Sequence, residues 1–109
     1  MALSSLLYAS TARSDLTRED IDAIVETATR VNGENDVTGL LAFDGKGFAQ
    51  ILEGELDTIQ SLYEKISRDP RHSGCVLLHI GPAERRRFKD WSLAYRRLSD
   101  LIMIQDMTA

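Results

Sequence analysis

Cysteine occurs once in the 109 residues, at Cys75, which rules out an internal disulfide. The thiol falls in an apolar run, where a lone cysteine most often acts as a small core side chain, and such usage fits a reducing cytoplasm. No apolar stretch reaches membrane-spanning length, and the opening MALSSLLYAS lacks the basic start and long apolar segment of a secretion signal. Neither insertion nor export is expected. Positive charge is also scarce: 13 Lys and Arg against 17 Asp and Glu leave a net charge of −4. No overall field therefore draws in nucleic acid or anionic lipid, and neither is expected as a partner. The run Arg85-Arg86-Arg87 reads as a solvated loop rather than a phosphate track. His72 and His79 have no nearby Cys and no metal-ligand spacing, so no metal is expected. There is no GxGxxG turn, Walker loop or serine-nucleophile motif, nor any repeat or low-complexity tract.

What is present suits one folded unit. Apolar residues make up 43% and charged residues 28%, the balance of a soluble globular domain, and the length supports one core rather than two. Leu3 to Ala9 reads as a strand with Leu6 and Tyr8 on one face. Thr17 and Asp20 make a capping box for a helix whose stripe is Ile21, Ile24, Val25, Ala28 and Val31, running to about Arg30 and stopping at Asn32-Gly33. VTGLLAFD and GFAQILEGE form a hairpin through Asp44 to Gly47. A second helix capped by Asp57 carries Ile59, Leu62, Tyr63 and Ile66 and ends before Pro70. CVLLHI is a fourth strand, Gly81-Pro82 a break, and Trp91 to Arg96 a fifth strand.

This order predicts an α+β, ferredoxin-like βαββαβ fold with an added fifth strand, two helices covering one face of a mixed sheet. Right-handed crossovers are expected to set the first and third strands side by side and parallel at the centre. The domain spans residues 1–97; residues 98–109, apolar at Leu101, Ile102, Met103, Ile104 and Met107, form a short tail or the start of a capping segment.

One residue stands out in GFAQILEGE. At period two Phe48, Gln50 and Leu52 share the helix-facing side, which puts an amide among apolar groups. A buried amide without partners costs about 1–3 kcal/mol, so Gln50 must bond to something. Either it bonds Tyr8 within the core, or it serves a polar ligand held between the helices. Asn32 offers a second amide suited to an imide or carbonyl edge, or is simply a helix C-cap. Ile24 and Ile66 would pack on the two faces of a flat ring, or are ordinary core. KISRDPRHSG gathers Lys65, Arg68, Asp69, Arg71 and His72, a solvated helix end or a tether for a phosphate-bearing tail.

The segments LLYAS, ATRVNGENDVTGLLAFDGKGFAQILEGE, LYEKISRDPRH and FKDWSL, in this order and spacing, resemble the BLUF family, sensors of blue light using FAD. The resemblance extends to about Tyr95. It implies non-covalently bound FAD, with FMN or riboflavin as substitutes, its ring between the two helices. By position Tyr8 is the light-driven electron and proton donor, and Gln50 bridges it to the flavin. Asn32 bonds the polar edge of the ring, Ile24 and Ile66 sandwich it, and Arg30, Lys65, Asp69, Arg71 and His72 belong to the cofactor-binding set. Trp91 matches a tryptophan that approaches or leaves Gln50, or is a core aromatic. Leu93 stands where the family commonly has Met, a change that nearly keeps volume but removes a polarizable thioether. No recognisable output domain follows, so a non-enzymatic photosensor is expected, signalling to a separate effector protein or output domain, with an exposed sheet face suited to a homodimer or higher oligomer. The alternatives are a ferredoxin-like ligand or interaction module without chromophore, or a small acid-anhydride hydrolase, which no phosphate-cradling loop supports.

Overall fold

The computed structural model describes residues 2–95, with side chains as far as Trp91. The tail 98–109, Arg96 and the side chain of Leu93 lie outside the described residues. The elements run β1 (Leu3–Ala12), α1 (Arg18–Glu34), β2 (Thr38–Phe43), β3 (Gly47–Glu55), α2 (Leu56–Ser67), β4 (His72–Pro82) and β5 (Trp91–Tyr95).

The capping box forms: Asp20 N donates to Thr17 Oγ1 at 3.1 Å, and Thr17 N to Asp20 Oδ2 at 2.9 Å. The helix outlasts the Asn32-Gly33 signal by one turn fraction, because Asn35 is the residue that caps it, donating from Nδ2 to Val31 O at 2.7 Å. Asp36 then takes the left-handed conformation (φ 56°) that Asp tolerates better than most residues, turning the chain into β2. Helix α2 begins earlier than expected. Glu55, the last residue of β3, serves as N-cap without a side-chain bond, and Asp57 falls in the first turn, where its charge complements the helix dipole.

The sheet order is β4-β1-β3-β2-β5, the ferredoxin-like arrangement with a fifth strand, mixed because β5 runs parallel to β2. The first and third strands are neighbours as expected, but they are antiparallel. The crossover through α1 returns β2 parallel to β1 with a gap of one strand, and the hairpin reverses β3 into that gap, so β3 opposes both. Asp44 Oδ1 organises the hairpin by accepting from Lys46 N and Gly47 N, each at 2.9 Å. Strand β4 exceeds the expected CVLLHI because it pairs with β1 from His72 to Pro82; proline is tolerated there on a sheet edge.

Alternation along the strands builds two apolar layers. Leu6, Tyr8, Phe48 and Leu52 face the helices and pack with Ile21, Ile59 and Leu62, while Leu7, Leu40, Ala42, Ala49 and Ile51 form a cluster on the other face. Direct opposition of Tyr8 and Gln50 in the β1–β3 ladder puts their side chains next to each other on the helix side.

Gly39 lets β2 approach β3. Its φ is 151°, and a Cβ there would lie 1.9 Å from Ile51 O. Gly39→Ala is expected to destabilise the fold by about 3 kcal/mol or more, as backbone clashes of this kind do. Denaturant unfolding measures it, and a loss below about 1 kcal/mol would show that the strands part without cost.

Candidate functional site

Between α1 and α2, above the centre of the sheet, lies a cleft of about 250 Å³. Its floor carries Tyr8 from β1 and Gln50 from β3, its walls Ile24 and Ile66, and its far end Trp91. Gln50 is 4% exposed and bonded at both ends: Nε2 donates to Tyr8 Oη at 3.1 Å, and Oε1 accepts from Trp91 Nε1 at 3.3 Å. Core bonding and a position on the cleft, weighed above as alternatives, are thus both present. Burial pushes the Tyr8 phenol far above its usual range, and the hydrogen bond from Gln50, which favours phenolate, offsets this only in part. The ring of Tyr63 tilts against it at 5.4 Å.

Helical geometry explains which residues of α1 reach the cleft. Ile24, Ala28, Val31 and Asn32 share a stripe and line it. Arg30, assigned to cofactor binding by resemblance, does not line it. Two residues before Asn32 it sits about 200° around the helix, on the exposed side, 3.9 Å from Glu34. Asn32 is not the helix cap. It is buried at 4% exposure, and no described residue bonds its side-chain amide, which lines the cleft.

At the end of α2 the charged residues are organised rather than loosely solvated. Arg71 forks onto Asp69, with Nε 2.9 Å from Oδ1 and 3.0 Å from Oδ2, and this bond holds the Asp69 carboxyl below its usual range. Lys65 is exposed at the same rim, and Arg68 is the C-cap. His72 lines the cleft with both ring nitrogens engaged. Nε2 donates to Ile66 O, so Nδ1 accepts from Ser10 Oγ at 2.7 Å. The expectation of no nearby cysteine is corrected: Cys75 Sγ lies 3.7 Å from His72 Nδ1, and burial pushes its thiol up. Strand geometry brings them together, since both belong to the start of β4.

Sequence reasoning did not place Thr27, Leu41, Phe48 and Leu62 at the site, though they line it. Their periodicity carried the signal, Thr27 lying three residues after Ile24 and Phe48 two before Gln50. Trp91, 7% exposed, is set beside Gly39 by the parallel β2–β5 pairing.

A flat, partly apolar ring with one polar edge fits this donor set: two isoleucine walls, and at one end the Asn32 amide, accessible from the cleft. The family described as sensors of blue light using FAD matches residues 3–94. The chain belongs to the BLUF family. It is 40% identical over 92 residues to the photoactivated adenylate cyclase subunit beta of Euglena longa, covering 84% of this chain and 11% of that protein. It is 41% identical over 86 residues to the blue light- and temperature-regulated antirepressor BluF of Escherichia coli K12, covering 79% and 21%. A solved structure of BlrP1 BLUF superposes with a TM-score of 0.82 at 33% identity, covering 99% of this chain and 77% of that one. Klebsiella pneumoniae BlrP1 solved with FMN and cyclic diGMP gives 0.81 at 32%, covering 94% and 29%. This BLUF chain thus spans about a tenth of the cyclase subunit and a fifth of the antirepressor. BLUF domains are flavin-binding blue-light sensors that signal to effectors, and membership disfavours a module without chromophore.

Because the folded Tyr8 phenol resists ionisation and the unfolded one ionises near pH 10, the unfolded state binds fewer protons above that pH. Its contribution to stability is therefore full below about pH 10 and declines as pH rises beyond it. Phenolate absorbance in an alkaline titration is expected to show a tyrosine that ionises only on unfolding, absent in Tyr8→Phe. A Tyr8 ionising near pH 10 in the folded protein would contradict this.

Proposed function

We propose that this BLUF domain detects blue light through FAD held non-covalently between α1 and α2, and that the observation carrying this reading is the chain of hydrogen bonds Tyr8–Gln50–Trp91 in the floor of the cleft. When bound, the flavin supplies blue-light absorption and one-electron redox chemistry. Ile24 and Ile66 orient it, and Asn32 offers donor and acceptor to its polar edge. Lys65 and the Asp69-braced Arg71 stand at the rim, where a phosphate-bearing tail would leave the cleft, and this supports a nucleotide-type flavin over riboflavin. The family description favours FAD, while BlrP1 has been solved with FMN.

Tyr8 keeps its proton on Oη at neutral pH, an electron donor that also carries a proton to release. Gln50 is the switch because its amide is polar in opposite senses at its two ends. In the structure Nε2 faces Tyr8 and Oε1 faces Trp91. Turning the amide over lets Oε1 accept from Tyr8 Oη, but sets Nε2–H against Trp91 Nε1–H, two donors face to face. A rearranged Gln50 therefore has to give up the Trp91 bond, and the change reaches the start of β5.

In this reading the domain itself is not catalytic, and its output passes to a separate effector or attached domain in the cytoplasm. No helix among the described residues is long and apolar enough to cross a membrane. The reading extends to a homodimer or higher oligomer, for which Val76, Leu77 and Leu78 offer exposed apolar surface on the edge strand.

A visible spectrum before and after blue light tests the proposal: a bound flavin with a reversible red shift is expected, and a chain that takes up no flavin from solution would overturn it. Tyr8→Phe is expected to keep the flavin and lose the red-shifted product. An unchanged light-minus-dark spectrum in that variant would remove Tyr8 from the mechanism.

A further inference from the structure

Glu53 lies on β3, three residues beyond Gln50 and on the opposite face, and is 0% exposed. A carboxylate so buried needs donors for both oxygens. Oε1 accepts from Thr38 Oγ1 at 2.8 Å and from Phe88 N at 3.2 Å; Oε2 accepts from Arg87 N at 2.8 Å and faces Arg87 Nε at 3.5 Å. Arg86 closes the cluster, donating to Thr38 Oγ1 at 2.8 Å, Glu53 O at 3.2 Å and Asp36 O at 2.9 Å.

Three of these residues belong to the segment 83–90, which joins β4 at one edge of the sheet to β5 at the other. Four strand spacings make that crossing about 19 Å, and nine steps from Pro82 to Trp91 reach about 30 Å, so about a third of the reach is spare and the path of the segment is set by where it is fastened. It is fastened at its ends by Ala83 N to Leu3 O at 2.9 Å and Gly39 N to Asp90 O at 3.0 Å. Between them Glu53 takes the two consecutive N–H groups of Arg87 and Phe88, and Phe88 packs on the outer apolar cluster. Trp91 follows directly.

We propose that Glu53 is a positioning residue for Trp91: by pinning the segment 83–90 to the centre of the sheet it sets where β5 begins, and so holds the indole N–H on Gln50. The proposal uses the dark geometry alone, and it rests on the light-sensing reading only for its consequence in signalling.

Trp91 is the single tryptophan of the chain, so one indole N–H signal and one emission band report on it. The test uses the full chain in the dark, with and without flavin, so that failure here is distinct from failure to bind or respond to light. Glu53→Gln keeps the shape but leaves one acceptor oxygen, so either Arg87 N–H or Phe88 N–H meets an amide donor. Indole hydrogen exchange is expected to quicken about tenfold, the equivalent of weakening one hydrogen bond, with emission shifted to the red toward that of Gln50→Leu. Thr38→Val, which keeps the carboxylate and withdraws one donor, is expected to give a smaller change of the same sign. Ile59→Val, a core change away from the segment, is expected to lower stability and leave the indole signal alone. Unchanged indole exchange in folded Glu53→Gln overturns the proposal, as does a change equalled by Ile59→Val at the same loss of stability. Should Glu53→Gln not fold, an unmoved indole in Thr38→Val overturns it equally.

Discussion

A buried amide has to satisfy two ends of opposite polarity at once, and the functional half of this structure is arranged around how Gln50 does so. Its position follows from the antiparallel β1–β3 register, which sets Tyr8 directly across the ladder, and from the parallel β2–β5 pairing, which places Trp91 beside Gly39. Neither neighbour alone would fix the orientation. Tyr8 Oη accepts or donates with equal ease, whereas the Trp91 indole only donates, so Trp91 decides which end of the amide points where. Gln50 is only 4% exposed, which limits the competing partners that would make the orientation indifferent.

The comparisons give this arrangement a broader meaning. Similar domains occupy a small fraction of a cyclase subunit, an antirepressor and BlrP1, whose lengths and names differ widely. A sensing core that can be attached to such different chains has to deliver its change through its own surface rather than through one dedicated partner. In the described geometry Gln50 is linked to the start of β5 by its bond from Trp91 Nε1.

Much of the site was legible because it obeys the two simple periods. Period two along GFAQILEGE put Gln50 on the helix side with Phe48 and Leu52, and the helical stripe put Ile24 and Ala28 on the wall. What failed to show depended on topology or on distant partners. The antiparallel sense of β1 and β3 follows from a strand inserted by the later hairpin, which local pattern does not report. Arg30 was assigned by its place in a motif, although its angular position on α1 argues against it. Spacing alone favours Asn32 as a helix cap over a ligand-facing amide, yet Asn35 takes that role. The three arginines looked like a solvated run, yet Arg86 and Arg87 fold onto Asp36 and Glu53, partners at least 34 residues away in sequence. The burial of Glu53 was hidden for the same reason: alternation assigned it a face and said nothing of what covers that face.

That sequence separation bears on how the chain folds. Helix α1 and the β2–β3 hairpin can close through local contacts, and the hairpin already brings Thr38 Oγ1 to Glu53, but two further hydrogen-bond donors to its carboxylate, Arg87 N and Phe88 N, lie 34 and 35 residues downstream. The closure cost of covering Glu53 therefore falls on long-range contacts, whereas the helix-facing side of β3 is served in part by the adjacent α2.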